Sequence, residues 1–125
     1  MKNSLVALVL WMSGPALAGW TGLGEDDASA LYADPSAIVK QVGVATMSSL
    51  VDYKSFQRMV EVGYFSQTLR AEYDCQSPKS RGLARTLHSE HMGQGKVIYE
   101  DDTPHDWEDI QSGSRGESLW KLACK

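Results

Sequence analysis

Cysteine is scarce in this chain, with only Cys75 and Cys124 among 125 residues, and no C-x-x-C pair exists. That removes the usual thiol redox motif and the usual cysteine zinc site. No G-x-S-x-G turn occurs, so the sequence offers no serine-hydrolase nucleophile elbow; Gly113-Ser114-Arg115-Gly116 only approaches one. Gly93-Gln94-Gly95-Lys96 is too short to cradle a phosphate. Long apolar runs are missing too. The longest, Leu5 to Met12, falls far short of the roughly 20 residues a spanning helix needs, so no membrane span is expected. Basic residues are outnumbered, 12 Lys and Arg against 16 Asp and Glu, for a net charge of −4. A nucleic-acid binder would need a basic face, and none is expected here.

What is present begins with an export signal. Lys2 precedes the apolar run, Ser13-Gly14-Pro15 breaks it, and Ala16-Leu17-Ala18 supplies the small-x-small pattern of a cleavage site. Residues 1–18 are therefore expected to be removed between Ala18 and Gly19, leaving 19–125 as one domain. Gly19 stands where a lipid-anchored product would carry cysteine, so the product is expected in the periplasm, at the cell surface or secreted, without a lipid anchor.

In an oxidising compartment the two cysteines are expected to pair. They lie 49 positions apart, and closing a loop of that length stabilises by about 4 kcal/mol in the chain-entropy account. For a small domain with a total stability of about 5–10 kcal/mol, that is a large share.

From Ser29 onward the hydrophobic period is that of strands. Leu31-Tyr32-Ala33 runs into the turn Asp34-Pro35-Ser36, followed by strand candidates at 38–42 and 44–53, the second with Ala45, Met47, Val51 and Tyr53 on one face. The clearest alternation is 68–75, where Leu69, Ala71, Tyr73 and Cys75 oppose Thr68, Arg70, Glu72 and Asp74. Runs at 83–89 and 96–100 flank a glycine-bearing hairpin loop. The period then changes. Ser114-Arg115-Gly116-Glu117 fits a capping box, and Glu117, Lys121 and Lys125 would line one face of a terminal helix of about three turns. Such a helix is marginal alone, so its apolar arc must rest on the Leu69, Ala71 and Tyr73 face. The expected fold is α+β, mainly β: an antiparallel β-sheet with a C-terminal α-helix tethered to one face by a disulfide.

Chemistry-bearing residues are few. His88 and His91 lie three apart and would point to opposite sides of an extended chain, which suits exposed hairpin histidines better than a metal site. Asp101, Asp102, Asp106 and Glu108 lack the regular spacing of a calcium loop. No metal, cofactor or catalytic residue is assigned. Aromatics are plentiful, however. Tyr73 and Trp120 are expected to pack between sheet and helix, while an aromatic left exposed beside Arg81 and Arg85 would anchor a partner.

Several pieces in order carry a family likeness: Tyr32-Ala33-Asp34-Pro35-Ser36-Ala37-Ile38, Glu72-Tyr73-Asp74-Cys75, Arg81 with Arg85-Thr86-Leu87, Trp107-Glu108-Asp109-Ile110 with Gly113-Ser114, and the closing Cys124. From about Trp20 to Cys124 the chain resembles the surface-adhesin protein E family. The resemblance implies a sheet with a disulfide-tethered C-terminal helix and, as in the family's namesake, a dimeric surface protein that binds host matrix and plasma proteins. The chain departs from the family pattern at Ala33, usually a larger β-branched residue, at Ser112, usually proline, and in lacking an anchor cysteine at position 19. A non-enzymatic, adhesin-like binding domain of the bacterial envelope is the expectation, with an extracellular matrix or envelope protein as partner and a homodimer as its assembly. The rivals are a periplasmic structural or accessory factor without a host ligand and, more remotely, an unrecognised hydrolase.

Overall fold

The computed structural model describes residues 19–125. The expected leader, and the cleavage residue Ala18 with it, lie outside the described residues. Strands β1 (Thr21–Glu25), β2 (Ser29–Ala33), β3 (Val39–Gln41), β4 (Val44–Met59), β5 (Val62–Asp74), β6 (Lys79–His88), β7 (Val97–Asp101) and β8 (Glu108–Asp109) precede one helix, α1 (Arg115–Ala123). They form an antiparallel sheet in the order β1-β2-β4-β5-β6-β7, so the fold is α+β and mainly β. Both sides of its three long strands carry split neighbours: β2 and β3 share one edge of β4, while β7 and β8 share one edge of β6.

The alternation along β5 decides which face holds the helix. Ala71 and Tyr73 point with Ala45, Met47, Leu31 and Ala33 into a core closed by Leu119 and Ala123 of α1. Cys75 and Cys124 are joined, with Cα atoms 5.4 Å apart, inside the range a disulfide spans. Trp120 packs at this seam and donates its indole N–H to the carbonyl of Asp74 at 2.7 Å. At the other end of the helix, Arg115 donates from both guanidinium nitrogens to Ser29, at 2.8 and 2.9 Å. The cap differs in detail from the expected box. Ser114 Oγ accepts from the Glu117 N–H, but the Glu117 carboxylate reaches past Ser114 to accept from the Gly113 N–H at 2.9 Å. Helical structure ends at Ala123, so Lys125 lies beyond it.

The reverse face is also covered. Loop 89–96 folds back over Leu50, Ser66 and Thr68 rather than standing free as a hairpin tip. Ser66 Oγ donates to the Glu90 carbonyl at 2.6 Å and accepts from the Gly93 N–H at 2.8 Å. Asp52 accepts from the Met92 N–H at 2.8 Å and pairs with His91 Nδ1 at 3.1 Å. Gly93 has φ 73°, and a Cβ there would come within 3.2 Å of Leu50, so glycine suits both the turn and the close approach.

Strands β4 and β5 run well past the expected ends, making one ribbon that turns at Val60 and Glu61. Val60 takes φ 55° with 87% of its surface exposed, an unfavourable place for a β-branched residue. Phe56 lies over Gly63, where a Cβ would collide with its ring, and meets Phe65 edge-on at 5.4 Å. Val60→Gly is expected to raise stability by roughly 1 kcal/mol, since the relieved strain exceeds glycine's entropic cost. A urea midpoint unchanged or lowered would contradict this.

Candidate functional site

The expected partner-binding arginines both lie on β6, and what places them is a break in that strand's edge. β7 pairs with β6 from Arg85 to His88, and β8 pairs with it at Lys79 and Ser80. Between these contacts the chain arches away, touching β6 through the His105 N–H, which donates to the Gly82 carbonyl at 2.9 Å. On its other side β6 shifts register, with Arg70 opposite Ala84 and Ala71 opposite Gly82, leaving Leu83 as an extra residue. Such a bulge re-aims the side chains beside it.

The result is a cleft of about 260 Å³ at this edge of the sheet, where the chain between β7 and β8 arches away from β6. Its lining combines Leu69, Gly82 and Ala84 with the charged or titratable side chains of Asp101, Asp106, Glu108, Arg81, Arg85 and His105. A side chain at 82 would fill this space, and its Cβ would meet only Leu69, at 3.6 Å. A second depression of about 280 Å³ adjoins, sharing Ala84, Arg85 and Asp101 and adding Glu100 and Asp102.

Both arginines are already engaged. Arg81 Nε donates to Glu72 at 2.7 Å, while its guanidinium carbon sits 5.1 Å from the centre of the Trp107 ring. Trp107 is 39% exposed, so the anticipated exposed aromatic beside an arginine is present. Arg85 Nε donates to Gln67 Oε1 at 2.7 Å. The Asp101 carboxyl is held below the usual carboxylate range, chiefly by the backbone N–H of Thr103 and then by its hydroxyl, with His105 and Arg85 adding attraction.

The histidines are dispersed. His88 shares a hydrogen bond with Thr68 at 2.9 Å, and His91 lies 4.5 Å from the Phe65 ring with Asp52 at its other side. Among the described residues no three His, Cys, Asp or Glu side chains converge as metal ligands would, and no helix is long and apolar enough to cross a membrane. Partial burial holds the His88 pKa below the ordinary histidine value, against a smaller opposing pull from Glu100. An unfolded chain then binds this proton first, near pH 6.5. The contribution is complete above that pH and declines as the pH falls through 6.5 toward the lower folded value. Urea midpoints measured from pH 7.5 to 5 should fall for the native protein and fall less for His88→Asn; equal slopes would refute the effect.

Arg81 and Arg85 stand out in the sequence, whereas the aromatic beside them is not named there and the acidic stretch carries no assigned role. Gly82 stands just before the run expected at 83–89, and in the structure it lies inside β6 beside the bulge, as a glycine within a strand often does. Gly19, the expected new terminus, is exposed and is not among the cleft's lining residues.

Solved structures of Haemophilus influenzae protein E share this architecture. One aligns with a TM-score of 0.68 at 12% identity, over 86% of this chain and 84% of its own. Crystal form II gives 0.70 at 13% identity, over 93% and 96%. Protein E from the non-typeable organism gives 0.64 at 12%, over 86% and 76%. Identities this low speak for the fold alone. No curated protein matches by sequence. Residues 20–125, however, match the family model described as surface-adhesin protein E, and the chain belongs to that family.

Proposed function

We propose that the chain is a non-enzymatic binding domain of the bacterial envelope, exported by residues 1–18, cleaved between Ala18 and Gly19, and acting as one domain over 19–125. Family membership supports an adhesin-like surface role. The observation that carries the contact site is the open cleft beside the half-exposed Trp107, stacked on Arg81. A rigid aromatic next to a concave, partly apolar surface is what protein partners use as an anchor. Arg81 and Arg85 shape this site: one props Trp107, the other walls the cleft. An extracellular matrix or envelope protein is the partner class.

The test uses protein purified from cells expressing the full chain, assayed against separated matrix and envelope components. Trp107→Ala should weaken capture of any bound component about tenfold, the loss of one anchoring aromatic, while leaving thermal stability within about 1 kcal/mol. Retention no greater than that of a denatured control, or capture untouched by the substitution, would defeat the proposal. Protease added to intact cells reads the location: surface display predicts cleavage, whereas protection places the domain in the periplasm.

A further inference from the structure

Trp107 belongs to the stretch 102–107 between β7 and β8, where no strand pairing holds the chain. Its backbone is tied to β6 on either side, through the His105 bond to Gly82 and through Glu108 opposite Ser80, but those ties leave the ring to find its own support. Trp120 is fixed by its indole bond to Asp74. Trp107 is backed instead by Arg81, whose guanidinium carbon lies over the ring at 5.1 Å from its centre. An arginine side chain is flexible, and only some of its rotamers carry the charge over an indole face, so this support is no firmer than whatever holds the guanidinium.

Glu72 supplies that hold. It stands directly opposite Arg81 in the β5–β6 register, on the side of β5 away from Ala71 and Tyr73, and its side chain is only 20% exposed. Its Oε1 accepts from Arg81 Nε at 2.7 Å, a charge-assisted bond and so about twice as strong as a neutral one. Arg81 lines the cleft, whereas Glu72 is not among its lining residues. The carboxylate therefore reaches the contact site only through the guanidinium. We infer that Glu72 is a positioning residue of that site: it fixes Arg81, and through Arg81 the orientation in which the Trp107 indole meets a partner. This role rests on the reading of Trp107 as the anchor. An anchor ordered before association removes the entropy of ordering it from the cost of binding, so Glu72 raises affinity without touching the partner.

The experiment measures order parameters of the indole N–H groups in protein purified from cells expressing the full chain. The Trp107 signal is assigned by its loss in Trp107→Phe. Trp120 is the internal reference, because its indole is bonded to a carbonyl two positions from Glu72 on the same strand. Glu72→Ala should lower the Trp107 value from the rigid range, roughly 0.85, to below about 0.6, and leave Trp120 unchanged. Glu72→Gln keeps an oxygen acceptor without the charge and should fall between the two. Arg81→Lys keeps the charge but not the planar group, and should loosen Trp107 as Glu72→Ala does. A Trp107 order indifferent to Glu72→Ala, or a loosening of Trp120 as large as that of Trp107, overturns the assignment.

Capture from the panel of separated matrix and envelope components keeps this role apart from the reading beneath it. Glu72→Ala should weaken retention about three- to tenfold, the range expected when one side chain must be ordered on binding, and should weaken it no further when Trp107→Ala is already present. Equal weakening in both backgrounds would give Glu72 a role apart from Trp107 and refute the inference. Capture untouched by Trp107→Ala removes the anchor, and with it the site that Glu72 serves. Capture lost with Trp107→Ala while the indole ignores Glu72→Ala retains the anchor and refutes the positioning.

Discussion

Reducing Cys75–Cys124, or replacing both cysteines with serine, is expected to lower stability by about 2–5 kcal/mol, and so to lower the melting temperature by 10 °C or more. The bond closes a 49-residue loop that contains all of β6, β7 and β8. It also restrains a nine-residue helix too short to persist alone. Without it, α1 still has the Arg115 bonds to Ser29 at its start and Leu119 in the core. The end near Ala123 keeps its packing, the Trp120 bond to Asp74 and, just beyond, a bond from the Lys40 ammonium to the Lys125 carbonyl. Amide exchange should therefore accelerate most at Lys121 to Cys124 and least at Glu117 and Ser118. Coincident urea curves for oxidised and reduced protein would show that helix packing suffices.

The half of the fold built around that bond was readable because two local signals agree. Strict alternation from Thr68 to Cys75 assigns a buried face, and Ser114 with Glu117 marks the helix start. The remainder depends on relations that period cannot express. β1 contains Gly22 and Gly24 and is almost wholly exposed, so it shows no hydrophobic stripe. The ribbon between Lys54 and Gln67 turns at a valine, where turn chemistry would ask for glycine or asparagine. The expected strand at 38–42 shortens to Val39–Gln41, because Val42 joins Gly43 in the turn. In the cleft, the register sets Asp101 opposite Arg85 and Glu108 opposite Ser80, pairings that no local period expresses. Nor does any period disclose that two separate strands share one edge of β6 and lift the chain between them.

Leu50→Ala is expected to cost about 2–4 kcal/mol, the usual range for a buried leucine truncated where its surroundings collapse only in part. Leu50 is fully buried, on the face of β4 opposite Met47, so its loss touches neither the helix nor the disulfide. Its cover is loop 89–96, held from below by Ser66 and from the side by Asp52, residues more than twenty positions away in sequence. With leucine gone, Gly93 loses the surface it rests on, and exchange at the Met92 and Gly93 amides should quicken while that of α1 stays slow. Because the two layers sit on opposite faces of one sheet, Leu50→Ala and loss of the disulfide should add within about 0.5 kcal/mol. A combined loss much smaller than the sum would mean that the faces are coupled through β4. A Leu50→Ala effect under about 0.5 kcal/mol, the scale of a surface change, would mean that the loop does not seal this side at all.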